Sequence, residues 1–176
     1  MPGGNFWDGA RNGLISAGLN HAAHMGIQAL SIRSMFRKAH IKSNGKPEYS
    51  KKYVFSLIKK IGYLKEWWKK GGSPDIEVYD AWDDDQGLYQ NKLVSLNFKY
   101  LDTNYRLVST MFHEFYHAYQ DVSGITSWTV ENYGKITKFS TSRALLEYGA
   151  YKFQYSLGDY SYRMEGMLKY AKRFTY

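Results

Sequence analysis

The stretch TNYRLVSTMFHEFYHAYQDV, residues 103–122, determines most of what can be inferred about the fold. Apolar side chains recur in it at intervals of three and four residues: Val108, Met111, Phe112, Phe115, Tyr119 and Val122. This period is typical of a helix with one buried face. Ser123 and Gly124 follow the stretch and favour a helix end. The sequence therefore predicts a long helix from about Thr103 to Val122.

The same stretch contains His113, Glu114 and His117 in the order H-E-x-x-H. Two residues four apart lie one turn apart on the same helix face, so both imidazoles can reach one metal ion. Glu114 lies beside them, where it can take a proton from a water molecule at the metal. In a chain of this composition the motif arises by chance on the order of half a percent of the time. We therefore predict a site for Zn²⁺, against the alternative of two hydrogen-bonded histidines and a surface glutamate.

A catalytic zinc ion usually has three protein ligands. The other histidines all precede the helix: His21, His24 and His40. Glu147 is the best candidate for the third ligand, because it lies among apolar side chains on a second predicted helix, 142–157. A buried carboxylate is costly there unless a cation binds it. A salt bridge between Glu147 and Arg143 is the alternative. Asp121 is a rival ligand, and Glu131 and Asp159 are weaker candidates.

A hydrolase of this kind also needs a donor for the oxyanion that forms in the reaction. Tyrosines lie on or near the second helix: Tyr133, Tyr148, Tyr151 and Tyr155. Tyr151, one turn after Glu147, is our candidate for a catalytic role beside Glu114. Ordinary packing is the alternative for each of these rings.

The rest of the chain predicts further helices and a small sheet. Ser50 and a stripe of apolar residues predict a helix over 51–70 with a solvated lysine face, or else a basic surface helix for membrane or nucleic acid. Strands are expected near 76–81 and 92–100, around an acidic turn at 83–87. The remaining segments are expected to form one or two helices within 5–30, a hairpin or loop over 125–139 and a final helix over 162–174.

We expect an α+β, helix-rich chain with a small, mostly antiparallel sheet. Residues 1–45, rich in small side chains, would form a helical lead-in to a catalytic domain over 46–176. The run Leu93–Phe98 is a candidate edge for an extended peptide to pair with.

Composition limits the possible classes of protein. The chain has 176 residues, no Cys and a net charge of +8. Without Cys there is no disulfide and no thiolate metal site. No apolar run is long enough for a transmembrane helix, and no signal peptide is visible. A positive charge favours encounters with anionic polymers, but it does not indicate specific nucleic-acid binding.

The motif His113-Glu114-x-x-His117 followed by Glu147-x-x-Ala150 resembles the gluzincin class of zincin metallopeptidases over about residues 75–157. The resemblance implies a zincin-like fold, zinc bound by His113, His117 and Glu147, and Glu114 as general base. Tyr151 stands where thermolysin-like members have an Asp, so the partner that orients one histidine is unassigned.

The N-terminal stretch, residues 5–24, is similar to the junction before the C-terminal toxin domain of bacterial RHS-type polymorphic toxins. This resemblance implies a toxin domain that is secreted or delivered to a target cell as part of a larger protein, with a cognate immunity protein as partner. The other interpretation is a helical lead-in packed on the catalytic unit.

The expected function is therefore zinc-dependent hydrolysis of peptide bonds in a peptide or protein substrate. The alternatives are a basic binding module for cell-wall polymer, membrane or nucleic acid, and a zinc-bound pseudoenzyme without catalysis.

Overall fold

The computed structural model describes residues 31–82, 85–137 and 140–159. These ranges contain six helices and three strands: α1 (Ile32–Lys38), α2 (Lys51–Lys60), α3 (Gly62–Lys70), β1 (Asp75–Tyr79), β2 (Gly87–Gln90), β3 (Leu93–Asn97), α4 (Asn104–Val122), α5 (Ile125–Tyr133) and α6 (Thr141–Ser156). The α+β, helix-rich class is confirmed. Within the described ranges, no helix combines the length and the hydropathy that crossing a membrane requires.

Helix α4 is the central element of the described residues. Its cap is Thr103, whose hydroxyl accepts a hydrogen bond from the backbone N–H of Arg106 at 3.2 Å. The helix packs against α1, α3, α5, α6, β2 and β3. The predicted helix 103–122 is thus confirmed, and it is buried on more than one face, since both Glu114 and Phe115 are buried.

The sheet is mixed, with the strand order β1–β3–β2. Strands β1 and β3 are parallel, from Asp75 opposite Leu93 to Tyr79 opposite Asn97. Strands β2 and β3 are antiparallel. The expectation of a mostly antiparallel sheet is therefore wrong, because the chain crosses to the far side of β3 and forms β2 before it returns.

Strand β2 has only four residues and was not predicted separately from the acidic turn. A tight turn joins it to β3 through Asn91 and Lys92, which have positive φ angles of 52° and 63°. Because β3 lies between β1 and β2, the run Leu93–Phe98 is not a sheet edge. The expectation that it pairs with a peptide substrate is wrong, and β2 is the edge strand on that side among the strands of the described ranges.

The predicted helix 51–70 is two helices. Ile61 separates α2 from α3, with extended backbone angles of φ −99° and ψ 94°. Both helices bury the same apolar stripe, so the hydrophobic period continues across the break and does not reveal it. Gly62, a poor helix former, begins α3.

Residues 125–139 were expected to form a hairpin or loop, but Ile125–Tyr133 is the helix α5. Glycines in left-handed or otherwise unusual backbone conformations flank it, with φ of 80° at Gly124 and 83° at Gly134. Its β-branched residues have a low helix propensity, which packing against α4 and α6 overrides.

Helix α6 confirms the predicted helix 142–157 within one residue. Its cap is Ser140, whose hydroxyl accepts from the backbone N–H of Arg143 at 3.1 Å. Helices α4 and α6 approach closely at Gly149, where an added Cβ would lie 2.9 Å from Nε2 of Gln120. The predicted helices within 5–30 and 162–174, and Asp83 and Asp84 of the acidic turn, lie outside the described residues.

Candidate metal centre

Three potential ligand atoms converge between α4 and α6. Nε2 of His113 lies 3.0 Å from Nε2 of His117 and 3.2 Å from Oε2 of Glu147. The distance from Nε2 of His117 to the same oxygen is 3.6 Å. The two histidines lie one turn apart on α4, and the packing of α6 on α4 places the glutamate opposite them. This group can hold a metal ion.

The separations of these atoms fit the geometry of a small tetrahedral ion. Zinc binds His nitrogen and carboxylate oxygen at about 2.0–2.2 Å, which places neighbouring corners of the tetrahedron about 3.3–3.6 Å apart. The three observed separations span 3.0 to 3.6 Å. No large movement of the side chains is therefore required to bind such an ion.

A buried glutamine holds the other ring nitrogen of His117. Oε1 of Gln120 lies 2.8 Å from Nδ1 of the ring. The amide nitrogen of Gln120 donates to the backbone carbonyl of Leu146 at 3.0 Å. A carbonyl can only accept, so the amide nitrogen must face it and the amide oxygen must face the ring.

His113 has the same kind of partner on α6. Oε1 of Gln154 lies 2.8 Å from Nδ1 of the ring. The amide nitrogen of Gln154 donates to the carbonyl of Ser109 at 2.7 Å and to its hydroxyl at 2.9 Å. The hydroxyl of Ser109 in turn donates to Asp159. Gln154 thus fills the role that the sequence left unassigned, that of orienting one histidine.

Both glutamine oxygens require a proton on the Nδ1 atom that they face. Each Nε2 of His113 and His117 then carries a lone pair, and the two lone pairs converge with the carboxylate of Glu147. Three acceptors without a donor are unfavourable unless a cation, either a proton or a metal ion, lies between them. This donor set fits the zinc ion that the motif implies.

The charges of the site favour a cation. When a proton rather than a metal ion lies between these atoms, an Nε2–H group can donate to Glu147. Burial alone would raise the pKa of Glu147, but such hydrogen bonds from His113 and His117 lower it far below its usual range. Burial would lower the pKa of His117, but its hydrogen bond to Glu147 and the charges of Glu147 and Glu114 raise it to about 9. The field that holds a proton on His117 would also attract a divalent ion.

Glu114 is 5% exposed and lies beside the two histidines. Burial raises its pKa, and the charges of His113 and His117 and a hydrogen bond from the backbone of Tyr89 oppose that shift. Strand β2 crosses closely above it: a Cβ added at Gly87 would lie 2.9 Å from Oε1 of Glu114. Glycine at this position therefore permits the strand to lie against the carboxylate.

An open cleft of about 730 Å³ connects the group formed by His113, His117 and Glu147 to solvent. Strand β2 forms one side of the cleft, and α6 contributes Arg143, Leu146, Glu147 and Tyr151 to the other. Thr110, one turn before Glu114, also lines the cleft. Its hydroxyl is buried and has no hydrogen-bond partner among the described residues.

The structure brings His113, Glu114, His117, Glu147 and Tyr151 to this one cleft. The ring of Tyr151 lies 4.7 Å from that of His113. The alternative salt bridge is present as well, but Nε of Arg143 is 3.6 Å from Oε1 of Glu147, the oxygen that does not face the histidines. Arg143 and the metal site therefore do not compete for the same atom.

The rival ligands lie outside the group of three. Asp121 accepts a hydrogen bond from the hydroxyl of Tyr89 at 2.8 Å. Glu131 is exposed on α5, and Asp159 is buried against Ser109. Of the other tyrosines considered, Tyr133, Tyr148 and Tyr155, none lines the cleft.

Sequence reasoning missed Gln120, Gln154 and Tyr89. Gln154 is seven residues after Glu147, two turns along the same helix face, which is a weak signal. Gln120 is three residues after His117, also on the same face. No spacing rule predicts that Tyr89 lies near the site, because its position depends on how β2 crosses α4.

Comparison of the chain with known protein families, with curated proteins and with solved structures found no match.

Proposed function

We propose that this protein is a zinc-dependent peptidase. The observation that carries the proposal is the convergence of His113 Nε2, His117 Nε2 and Glu147 Oε2 in an open cleft, with the buried Glu114 carboxylate beside them. Two imidazoles and one carboxylate form a ligand set found in catalytic zinc sites, and three protein ligands leave a position for water or substrate.

Bound at these residues, zinc would polarise the scissile carbonyl and increase the acidity of the attacking water. Glu114 is the general base: it takes a proton from water and passes it to the leaving amine. The glutamines beside His113 and His117 keep both Nε2 atoms directed at the metal.

We assign the substrate to the edge of β2, the strand that lines the cleft above Glu114. An extended peptide can pair with the backbone of such a strand. Tyr151 is the proposed donor for the oxyanion, supported by its place in the cleft beside His113. Secretion or delivery as part of a larger bacterial toxin, with an immunity protein, remains a prediction from the N-terminal resemblance.

The test combines metal content, cleavage of a peptide library and two variants. The purified protein should bind about one zinc per chain and cleave peptides, and both properties should be lost in His117→Ala. Glu114→Gln should keep the zinc and lose cleavage. Glu131→Gln removes the same charge on exposed α5 and serves as the matched control.

Each result separates the proposal from an alternative. Cleavage that survives in Glu114→Gln would contradict the general-base assignment. Zinc binding without cleavage in the unmodified protein would indicate a pseudoenzyme. A protein that binds no zinc and whose stability is unchanged in His117→Ala would indicate a binding module.

A further inference from the structure

The cleft is lined by more acidic than basic side chains, although the protein as a whole is basic. The chain carries a net charge of +8. Four acidic residues line the cleft: Asp85, Glu114, Asp121 and Glu147. Arg143 is the one Lys or Arg side chain among the described residues that line it. Glu114 and Glu147 belong to the proposed metal centre. The acids that remain to select a substrate side chain are Asp85 and Asp121.

Asp121 lies one turn after His117, near the end of α4. The hydroxyl of Tyr89 fixes one of its carboxylate oxygens, and no basic side chain of the described ranges forms an ion pair with it. A negative charge at the C-terminal end of a helix is unfavourable, because the helix dipole is negative there. The position of Asp121 therefore costs stability, and a cationic ligand would offset that cost.

The cleft also contains apolar side chains that are unusually exposed. Leu88 on β2 is 41% exposed and Ile136, which precedes α6, is 46% exposed. Both line the cleft together with Asp121. A surface that combines apolar walls with a carboxylate is complementary to a Lys or Arg side chain, which has an apolar stem and a charged head.

We propose that the cleft binds peptides through a lysine or arginine side chain whose cationic head lies against Asp121. The inference rests on the proposed peptidase function and names its substrate class. Arg143, the one basic side chain of the lining among the described residues, is directed at Oε1 of Glu147, 3.6 Å away, and forms no ion pair with Asp121. At physiological salt, the positive charges on the rest of the surface are screened beyond about 8 Å. The charges inside the cleft therefore determine which substrate side chain is preferred.

Fluorogenic peptides of one alanine-rich sequence test the proposal with the zinc-loaded protein. One position at a time, on either side of the cleaved bond, carries lysine, norleucine or glutamate. Norleucine reproduces the stem of lysine without its charge. At one position we expect kcat/KM for lysine to exceed that for norleucine about fivefold, the upper range for a partly exposed ion pair. Glutamate should be the poorest substrate there.

Asp121→Asn should bring the ratio of lysine to norleucine close to one, whereas Glu131→Gln, outside the cleft, should leave the ratio unchanged. Raising the salt from about 50 mM to about 500 mM should lower the ratio in the unmodified protein, so this test needs no variant. A ratio near one at every position, or a ratio that Asp121→Asn does not change, would overturn the inference.

Binding separates this inference from the proposed function. Fluorescence anisotropy with zinc-loaded Glu114→Gln measures peptide affinity without cleavage. If the unmodified protein cleaves nothing but this variant binds the lysine peptide more tightly than the norleucine peptide, the substrate class stands and the peptidase function fails. If cleavage occurs without a charge preference, the function stands and the substrate class fails.

Discussion

Gln120 and Gln154 each hold one histidine of the candidate site through its Nδ1 atom. Gln120 and Gln154 are both buried, and backbone carbonyls fix the direction of each amide. Each amide oxygen then places a proton on Nδ1 of its histidine and leaves Nε2 as a ligand. A neutral amide does this without adding a third buried carboxylate next to Glu114 and Glu147, which would be costly.

Replacement of Gln154 by methionine, which has a similar length but no acceptor, should lower zinc affinity by about 10- to 100-fold. The amide no longer holds the tautomer of His113, so Nδ1 and Nε2 compete for the proton. Competition with a chromogenic chelator measures the affinity, and the ¹⁵N shifts of the ring report the tautomer. Unchanged affinity and an unchanged tautomer would show that Gln154 only fills space.

The sequence predicts the position of a single site residue where that position depends only on its neighbours along the chain. The spacing of His113 and His117 predicts that they share a helix face, and the apolar neighbours of Glu147 predict that it is partly buried. The glutamines were not predicted, because their partners come from other turns and from another helix. Only the packing of α6 on α4 brings Gln154 to His113 and Leu146 to Gln120.

Among the elements, the sequence predicts the long helices α4 and α6 and the strands β1 and β3, but not the strand β2, the helix α5 or the break at Ile61. Helices α4 and α6 are long and each begins at a capping side chain, and α4 also has a strong apolar period. Strand β2 is too short to show a period, and the break at Ile61 is hidden because both flanking helices bury the same stripe. Helix α5 forms from residues that favour strands, since its neighbours determine its conformation.

The approach of α4 to α6 at Gly149 joins the histidines to their glutamate. Gly149→Ala should destabilise the protein by about 1–3 kcal/mol, because the added methyl group would displace the buried amide of Gln120. Helix propensity alone would favour alanine by about 1 kcal/mol. The predicted net loss of stability therefore requires that the steric overlap costs more than this gain. Urea unfolding measures the free energy, and zinc affinity should fall in the same variant.

Gly62→Ala is the matched control for this prediction. Gly62 is also helical, and an added Cβ there would meet nothing within 4 Å. Alanine at this position should leave the free energy of unfolding unchanged or raise it by up to about 1 kcal/mol. A Gly149→Ala protein as stable as the Gly62→Ala protein would contradict the proposed close packing of α4 on α6.

For the whole molecule, a metal ion at this site would link two of its helices and contribute to global stability. Zinc at a free concentration about 1,000 times its dissociation constant should stabilise the folded protein by about 4 kcal/mol. A chain of this size gains about 2–4 °C in melting temperature per kcal/mol, so chelation should lower the melting temperature by about 10 °C. Differential scanning calorimetry with and without chelator measures the shift.

The same scan on His117→Ala provides the control, because this variant lacks one of the three ligands. Its melting temperature should be nearly independent of zinc and of chelator. An equal response to chelator in the two proteins would place the bound metal elsewhere in the molecule.

Anomalous diffraction at the zinc edge, from crystals of the zinc-loaded protein, locates the metal independently of any assay. We expect one strong peak about 2.0–2.2 Å from Nε2 of His113, Nε2 of His117 and a carboxylate oxygen of Glu147. No peak between α4 and α6, or a peak bound by other residues, would contradict the proposed metal centre.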